Sequence, residues 1–415
     1  MNEVVIVGGV RTPVGRYMGV LKDIQAYDLA ATVINEAVGR SGIEPQDVDQ
    51  VIMGEAYQNG ECVNIARMSL LKAGWPEKIP GVTLDSRCCT GLDVVRFAVG
   101  LIASGQADIV VAGGAESMSN AEFYLPGSVK WGIGGNKGMP KGHGDLSLWG
   151  IPFYDRIQRA RVMSQPEERY GILPTMMSWA ETAAKDHSIT REQCDQWSLE
   201  SHRKACIATD TGKFAEEIVP LEIIGKRGEQ TVVRSDENPR PDTTLEALSR
   251  LKPVLGGVCT AGNSSTENDG AAAVVLTSAL KASQMGLKPM AAVKPCVSVG
   301  DDPRRTYRTV PLAVNKALKR ANLKLEDIDL IEIQEAFAAQ VLADLKEMGI
   351  GPESYKRVNV NGSGISLGHP IACTGTRVLV TLLHEMKRRN SRYGLEGICG
   401  GGGLGIAAII ENKND

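Results

Sequence analysis

Hydrophobic positions along the chain alternate between two periods. The β-branched runs Val4–Val7, Val51–Met53 and Ile109–Ala112 read as buried strands, while Ala26–Ser41 and Gly91–Ser104 carry apolar residues at helical spacing. That alternation predicts an α/β fold with buried sheet. Between about 122 and 250 the pattern changes: Gly, Pro and Trp interrupt it, and amphipathic stretches such as Glu192–Thr209 stand alone. This stretch reads as an inserted, loop-rich layer, and long excursions of that kind usually bind ligands.

The two regular parts resemble each other. Glu36–Tyr57 aligns without a gap to Lys316–Phe337 at a shift of 280 positions, with Ala37/Ala317, Arg40/Arg320, Asp47/Asp327, Asp49/Asp329, Glu55/Glu335 and Ala56/Ala336 identical. Both segments run helix, turn, strand. A second echo follows in the same order: Cys89-Thr90-Gly91 against Cys373-Thr374-Gly375, each opening a helical run. The pair of echoes predicts an internal duplication. Two copies of one unit would set their strand-to-helix turns around a pseudo-two-fold, where residues distant in sequence can share a site.

Composition narrows the class. At roughly 100–200 residues per domain, 415 residues suggest two or three domains. A balance of 46 Lys+Arg against 49 Asp+Glu excludes a nucleic-acid binder working through bulk positive charge. No apolar stretch reaches the ~18 residues of a membrane span, and MNEVVIVGGVRTP is strand-like, without the charged start of a leader. Nine cysteines without CxxC spacing point to neither zinc nor a disulfide scaffold. The expectation is a cytoplasmic enzyme with reduced thiols and no metal.

Three segments carry candidate chemistry. In Asp85-Ser86-Arg87-Cys88-Cys89-Thr90-Gly91-Leu92 a strand ends near Leu84 and a helix begins around Gly91. A thiol there faces free backbone N–H groups and the positive end of a helix, which should lower its pKa. Either cysteine could be the nucleophile, or both could be packing. In Asn361-Gly362-Ser363-Gly364-Ile365-Ser366-Leu367-Gly368-His369-Pro370, His369 sits in a Gly-rich turn where it can reach a thiol or a carbonyl. Of the other histidines, His143 reads as a loop residue, and His187, His202 and His384 read as solvated on polar helical stretches. The third segment is Gly397-Ile398-Cys399-Gly400-Gly401-Gly402-Gly403-Leu404-Gly405. It lacks the Lys-Ser/Thr of a phosphate loop and the GxGxxG of a dinucleotide fold. Two thiols and a histidine together fit carbon–sulfur acyl chemistry.

With these segments the sequence resembles the thiolases, the acetyl-CoA acetyltransferases and 3-ketoacyl-CoA thiolases. The resemblance runs from Val5-Ile6-Val7-Gly8-Gly9-Val10-Arg11-Thr12-Pro13 to the final glycine segment. It includes Gly113-Gly114-Ala115-Glu116-Ser117-Met118-Ser119, Thr260-Ala261-Gly262-Asn263-Ser264-Ser265 and Asn268-Asp269-Gly270-Ala271-Ala272-Ala273. It implies a five-layered α-β-α-β-α arrangement of two duplicated halves. These would be 1–121, completed by about 245–275, and 276–415, with 122–244 as an inserted loop domain binding CoA and the acyl group.

The resemblance selects Cys88 as nucleophile, since small residues and then Leu92 follow it. His369 resembles its activator, and Cys399 the second cysteine that moves a proton at the acyl Cα. The N–H groups of Cys88 and Gly401 would bind an oxyanion. Ser265, Met176, Ala261 and Phe337 resemble CoA contacts, and basic residues in 226–234 are candidates for its phosphates. The implied reaction is ping-pong thiolysis of a 3-ketoacyl-CoA, as in β-oxidation, or its reversal. Acyl-CoA and CoA are the ligands, and no cofactor is permanently bound. A homodimer or homotetramer is expected, with a small accessory subunit as an open option. A 3-ketoacyl synthase-like enzyme and a subunit dependent on a partner protein are the alternatives.

Departures from the pattern are also informative. Gln334 stands where the family has the Asn that positions a water, Thr175 where many members carry His, and Ser363 where Gly is common. The stretch from Tyr124 to Thr175 is long and rich in Trp, Gly, Met and Pro. These differences suggest an acyl group other than acetoacetyl: bulky, aromatic or branched.

Overall fold

A computed structural model describes residues 2–127, 129, 152–173, 175–225 and 228–413. The strand and helix expectations hold closely: Val4–Arg11, Gln50–Gly54 and Ile109–Ser117 are strands, and Ala26–Ser41, Thr90–Ala103 and Arg191–Asp210 are helices. Nine strands follow one another in a sheet that divides into two halves, and the short strand Gly15–Arg16 pairs with Asn268–Ser278 as a tenth. Gly81–Leu84, Gln50–Gly54, Ile109–Ser117, Asn268–Ser278 and Val4–Arg11 follow one another in the first half. Ala291–Gly300, Leu404–Asn412, Tyr393–Gly400 and Leu330–Ile333 follow in the second. Within the sheet, among the described residues, the halves are joined where Val5 and Ile6 pair with Ala292 and Ala291. The strand Asn268–Ser278 pairs with Val4–Arg11 on one side and Ile109–Ser117 on the other.

The helices give the layers. Ala26–Ser41 and Ile65–Lys72 cover the outer face of the first half, and Thr309–Ala321 covers that of the second. Thr90–Ala103 and Ile371–Arg389 pack between the two halves in a core that includes Leu92, Val95, Leu379, Val380, Ile6, Val110, Ile398 and Ile406. This is the expected α-β-α-β-α order. The two central helices cross where the echoes lie. A Cβ on Gly91 would sit 2.6 Å from Thr376 N, and one on Gly375 would sit 2.3 Å from Leu92 N. Only glycine admits so close a backbone contact.

The inserted stretch contributes the helices Met177–Asp186 and Arg191–Asp210, which pack on Ala338–Glu347 of the second half. Among the described residues, no helix is long and apolar enough to cross a membrane.

Candidate active site

Cys88 is the middle residue of a 3₁₀ turn, Arg87–Cys89, between the strand Gly81–Leu84 and the helix Thr90–Ala103. The Thr90 hydroxyl accepts from Ser86 N at 2.7 Å and tightens that turn. His369 comes from the facing junction, just ahead of the helix Ile371–Arg389. Its Nε2 lies 3.1 Å from Cys88 Sγ, and its Nδ1 lies 2.7 Å from Thr374 Oγ1. The Thr374 hydroxyl donates its one proton to Pro370 O at 3.1 Å, so it must accept from the histidine. This assigns the proton to Nδ1 and leaves Nε2 free to take the proton of Cys88.

Burial sets the charge state of this pair. It pushes the Cys88 thiol up to about 11, against N–H groups of Gly401 and of Cys88 itself that favour the thiolate. It also drives His369 down to about 3, with the positive charge of Arg377 adding to the effect. The lowered thiol pKa expected from the local segment is therefore not found. The helix end and N–H donors are present, but desolvation outweighs them. Sulfur and imidazole rest as a neutral hydrogen-bonded pair.

Cys399 lies at the end of the strand Tyr393–Gly400 and is buried; desolvation first, then Asp344 and Cys88, raise its thiol well above the usual range. After it the chain turns through Gly402 and Gly403, both at positive φ (86° and 79°), a conformation that favours glycine. Cys88, His369, Cys399 and Gly401 line one cavity of about 490 Å³, together with Met176, Ala261, Ser265 and Phe337. Cys89 is a packing residue. Its sulfur donates to Ile398 O and fills the space a side chain on Gly400 would need.

The CoA-contact candidates are brought together by backbone pairing. Ser264 bridges Phe337, Ser265 N donates to Ala336 O, and Asn263 fastens the turn through Thr260, Val258 and Asp195. Gln334 is not in the cavity wall. It is fully buried, its Oε1 faces Arg377 and its Nε2 lies against Gly364. Arg234 does not line the cavity either; 226, 227 and His143 lie outside the described residues, as does much of the stretch from 124 to 175. His202 and His384 are buried, contrary to the solvated reading, and His187 bonds Glu347 at 3.0 Å.

Several residues were not singled out from sequence. Asn268 Oδ1 accepts from His369 N at 2.9 Å while its Nδ2 donates to Gly15 O, pinning the histidine turn. Glu116 accepts from the N–H groups of Ala56, Tyr57 and Ala372, tying the two junctions together. Thr374 was legible only as part of the Cys-Thr-Gly echo; Asn268 and Glu116 stood in quoted motifs without a role. Four arginines, Arg16, Arg87, Arg161 and Arg240, also reach the cavity.

Comparison with known proteins agrees with this architecture. Residues 4–280 match the family model "Thiolase, N-terminal domain", and 287–412 match "Thiolase, C-terminal domain". An acetyl-CoA acetyltransferase of Cupriavidus necator is 42% identical over 422 residues, covering 100% of both chains. A beta-ketoadipyl-CoA thiolase of Pseudomonas aeruginosa is 43% identical, covering 99% of each. The crystal structure of human mitochondrial 3-ketoacyl-CoA thiolase in complex with CoA superposes with a TM-score of 0.88 at 33% identity, covering 99% of this chain and 98% of the other.

Proposed function

The chain belongs to the thiolase family and is a CoA-dependent acyltransferase, and on that premise we propose that Cys88, His369 and Cys399 carry its reaction. The supporting observation is the 3.1 Å contact between His369 Nε2 and Cys88 Sγ, with the tautomer set by Thr374. In the degradative direction His369 takes the Cys88 proton as sulfur attacks the 3-keto carbon of a 3-ketoacyl-CoA. The N–H groups of Cys88 and Gly401 stabilise an oxyanion at the acyl-enzyme stage. The Cα–Cβ bond breaks, leaving the acyl group on Cys88, and Cys399 protonates the departing acetyl-CoA enolate at carbon. A second CoA gives its thiol proton to the Cys399 thiolate, attacks the thioester, and releases Cys88 as a thiolate that recovers its proton from His369. Run backwards, the same steps make the carbon–carbon bond.

Ser265, Met176, Ala261 and Phe337 are proposed to hold the pantetheine arm. Gln334 is proposed to act from behind the cavity wall, through Arg377. The three-part division, with 122–244 as the substrate-binding insert, belongs to the same reading, as does a bulky, aromatic or branched acyl group. A homodimer is proposed across the edge strand Gly81–Leu84. Among the described residues that strand is paired on one side only, and Val82, with Phe97 of the following helix, is well exposed (39% and 47%). An edge so placed invites pairing.

Incubation with a 3-ketoacyl-CoA should label Cys88 as a thioester, and CoA should discharge it. Cys88→Ser should abolish the label and lower kcat by at least about 10⁴-fold. Retention of label in that variant would move the nucleophile elsewhere.

A further inference from the structure

The turn that carries His369 is built from parts that cannot stand alone. Gly364–Leu367 form a single helical turn, far below the length at which a helix holds itself together. The chain leaves it at Gly368, whose φ is 94°, and runs on into His369 and Pro370. Had the helix continued, the carbonyl of Ile365 would accept from His369 N and that of Ser366 from residue 370. Here the His369 N–H goes to Asn268, and Pro370 has no N–H to give. Two carbonyls are thus left over where the chain bends toward the base.

Asn238 takes both of them. It is 1% exposed, and its Nδ2 donates to Ile365 O at 3.3 Å and to Ser366 O at 3.2 Å. Carbonyls only accept, so the amide nitrogen must face them and the amide oxygen must face the Thr266 hydroxyl, 3.1 Å away. That hydroxyl stands between two asparagines, since it also lies 2.8 Å from Asn268 Oδ1, the atom that accepts from His369 N. The start of the helical turn is held from elsewhere: Glu335 accepts from Ile365 N at 3.2 Å.

The neighbours of Asn238 anchor it to the other half of the molecule. The Asp236 carboxylate accepts from Arg11 at 2.6 and 2.9 Å and from Val14 N at 2.8 Å. Glu237 Oε2 accepts from Arg16 N and Val20 N at 2.9 and 3.1 Å. Three consecutive residues on the return from the inserted stretch therefore bind the end of the strand Val4–Arg11, the chain just after it, and the His369 turn.

We infer that Asn238 is a positioning residue for the base. By capping the helical turn it fixes the direction in which the chain leaves through Gly368, and with it the 3.1 Å reach of His369 Nε2 to Cys88 Sγ. This rests on the thiolase reading and deepens it: the insert places the base as well as facing the substrate. Asn238 also lines the cavity. A contact with substrate would act on KM, whereas placement of the base acts on kcat.

The test compares Asn238→Leu and Asn238→Ser with the wild type in thiolysis of 3-ketohexanoyl-CoA by the full-length protein. Asn238→Leu should lower kcat about ten- to a hundredfold, the cost of a base displaced by up to about 1 Å, with both KM values within about threefold. Asn238→Ser leaves room for water at the two carbonyls and should lose about three- to tenfold; it carries the test if the leucine variant does not fold. Single-turnover acylation of Cys88 without added CoA separates misplacement from loss of folded protein. Its rate should fall while the final amount of acyl-enzyme per chain stays the same. An unchanged kcat in both variants overturns the inference, as does a raised KM at unchanged kcat, or a smaller amount of acyl-enzyme formed at the wild-type rate. Failure of the wild type to cleave 3-ketohexanoyl-CoA and acetoacetyl-CoA alike would overturn the thiolase reading itself.

Discussion

The two halves of the molecule share a backbone and divide the chemistry. At one junction the sequence Cys88-Cys89-Thr90-Gly91 presents a thiol; at the other the corresponding Ala372-Cys373-Thr374-Gly375 presents none, and His369 arrives from the loop before it. The paired threonines diverge in the same way. Thr90 accepts from Ser86 N and shapes the nucleophile's turn, whereas Thr374 accepts from His369 Nδ1 and selects the tautomer. Duplication thus supplied two facing strand-to-helix junctions. Substitution at a few positions then made one a nucleophile and the other its base.

That division needs the two central helices to cross closely, and the crossing gives the largest expected effect. Gly375→Ala forces a Cβ to 2.3 Å from Leu92 N, against backbone that cannot yield. It should cost about 1–3 kcal/mol as overpacking. Because it separates the junctions, it should also lower kcat about a hundredfold. Gly91→Ala, meeting Thr376 N at 2.6 Å, should behave alike. Chemical denaturation and thiolysis assays of both variants check this; normal activity in either would mean that the site does not depend on the crossing.

The same comparison explains what the sequence revealed. Cys88, His369 and Cys399 were legible because each sits in a short segment whose glycines and flanking elements are local signals. The duplication was legible because Asp49/Asp329 and Thr90/Thr374 keep their identity. What the segments hid is set by distant parts of the chain. The environment of Cys88 is completed by Gly401 and the His369 turn, so a local reading of the helix end gave the wrong sign for its pKa. His202 and His384 lie on stretches of polar composition, yet their own side chains face inward. Gln334 read as a site residue from its motif, but its side chain turns to Arg377 and Gly364.

A second substitution pair separates the threonines by function. Thr374→Val removes the acceptor that fixes the histidine tautomer and should lower kcat about ten- to a hundredfold, with Thr374→Ser restoring most of it. Thr90→Val should lose only about 1 kcal/mol of stability, the worth of one hydrogen bond. Alkylation of Cys88 provides a readout that stability alone would not move. With the thiol at about 11 and His369 at about 3, the free enzyme holds the proton on sulfur across the neutral range. Reaction with iodoacetamide should therefore rise with pH through and beyond pH 9, without a plateau near neutrality. In Thr374→Val the neutral-pH rate should fall further, because Nε2 is no longer kept free to accept. An early plateau in the wild type would mean a thiolate–imidazolium pair at rest.

The smallest effect on catalysis belongs to positions where the halves have not diverged. Asp49 Oδ2 accepts from the N–H groups of Asp108 and Ile109 at 2.7 and 2.9 Å; Asp329 Oδ2 accepts from Arg392 and Tyr393 at 2.7 and 2.9 Å. Each carboxylate fastens the start of one strand to the turn before its parallel neighbour, a task of the framework and not of the site. Asp49→Ala and Asp329→Ala should each cost about 1–2 kcal/mol. The two values should agree within about 0.5 kcal/mol, and they should add in the double variant because the sites are far apart. Thiolysis should be unchanged in both. Unequal costs, measured by denaturant unfolding, would show that divergence between the halves reached the framework and was not confined to the two junctions.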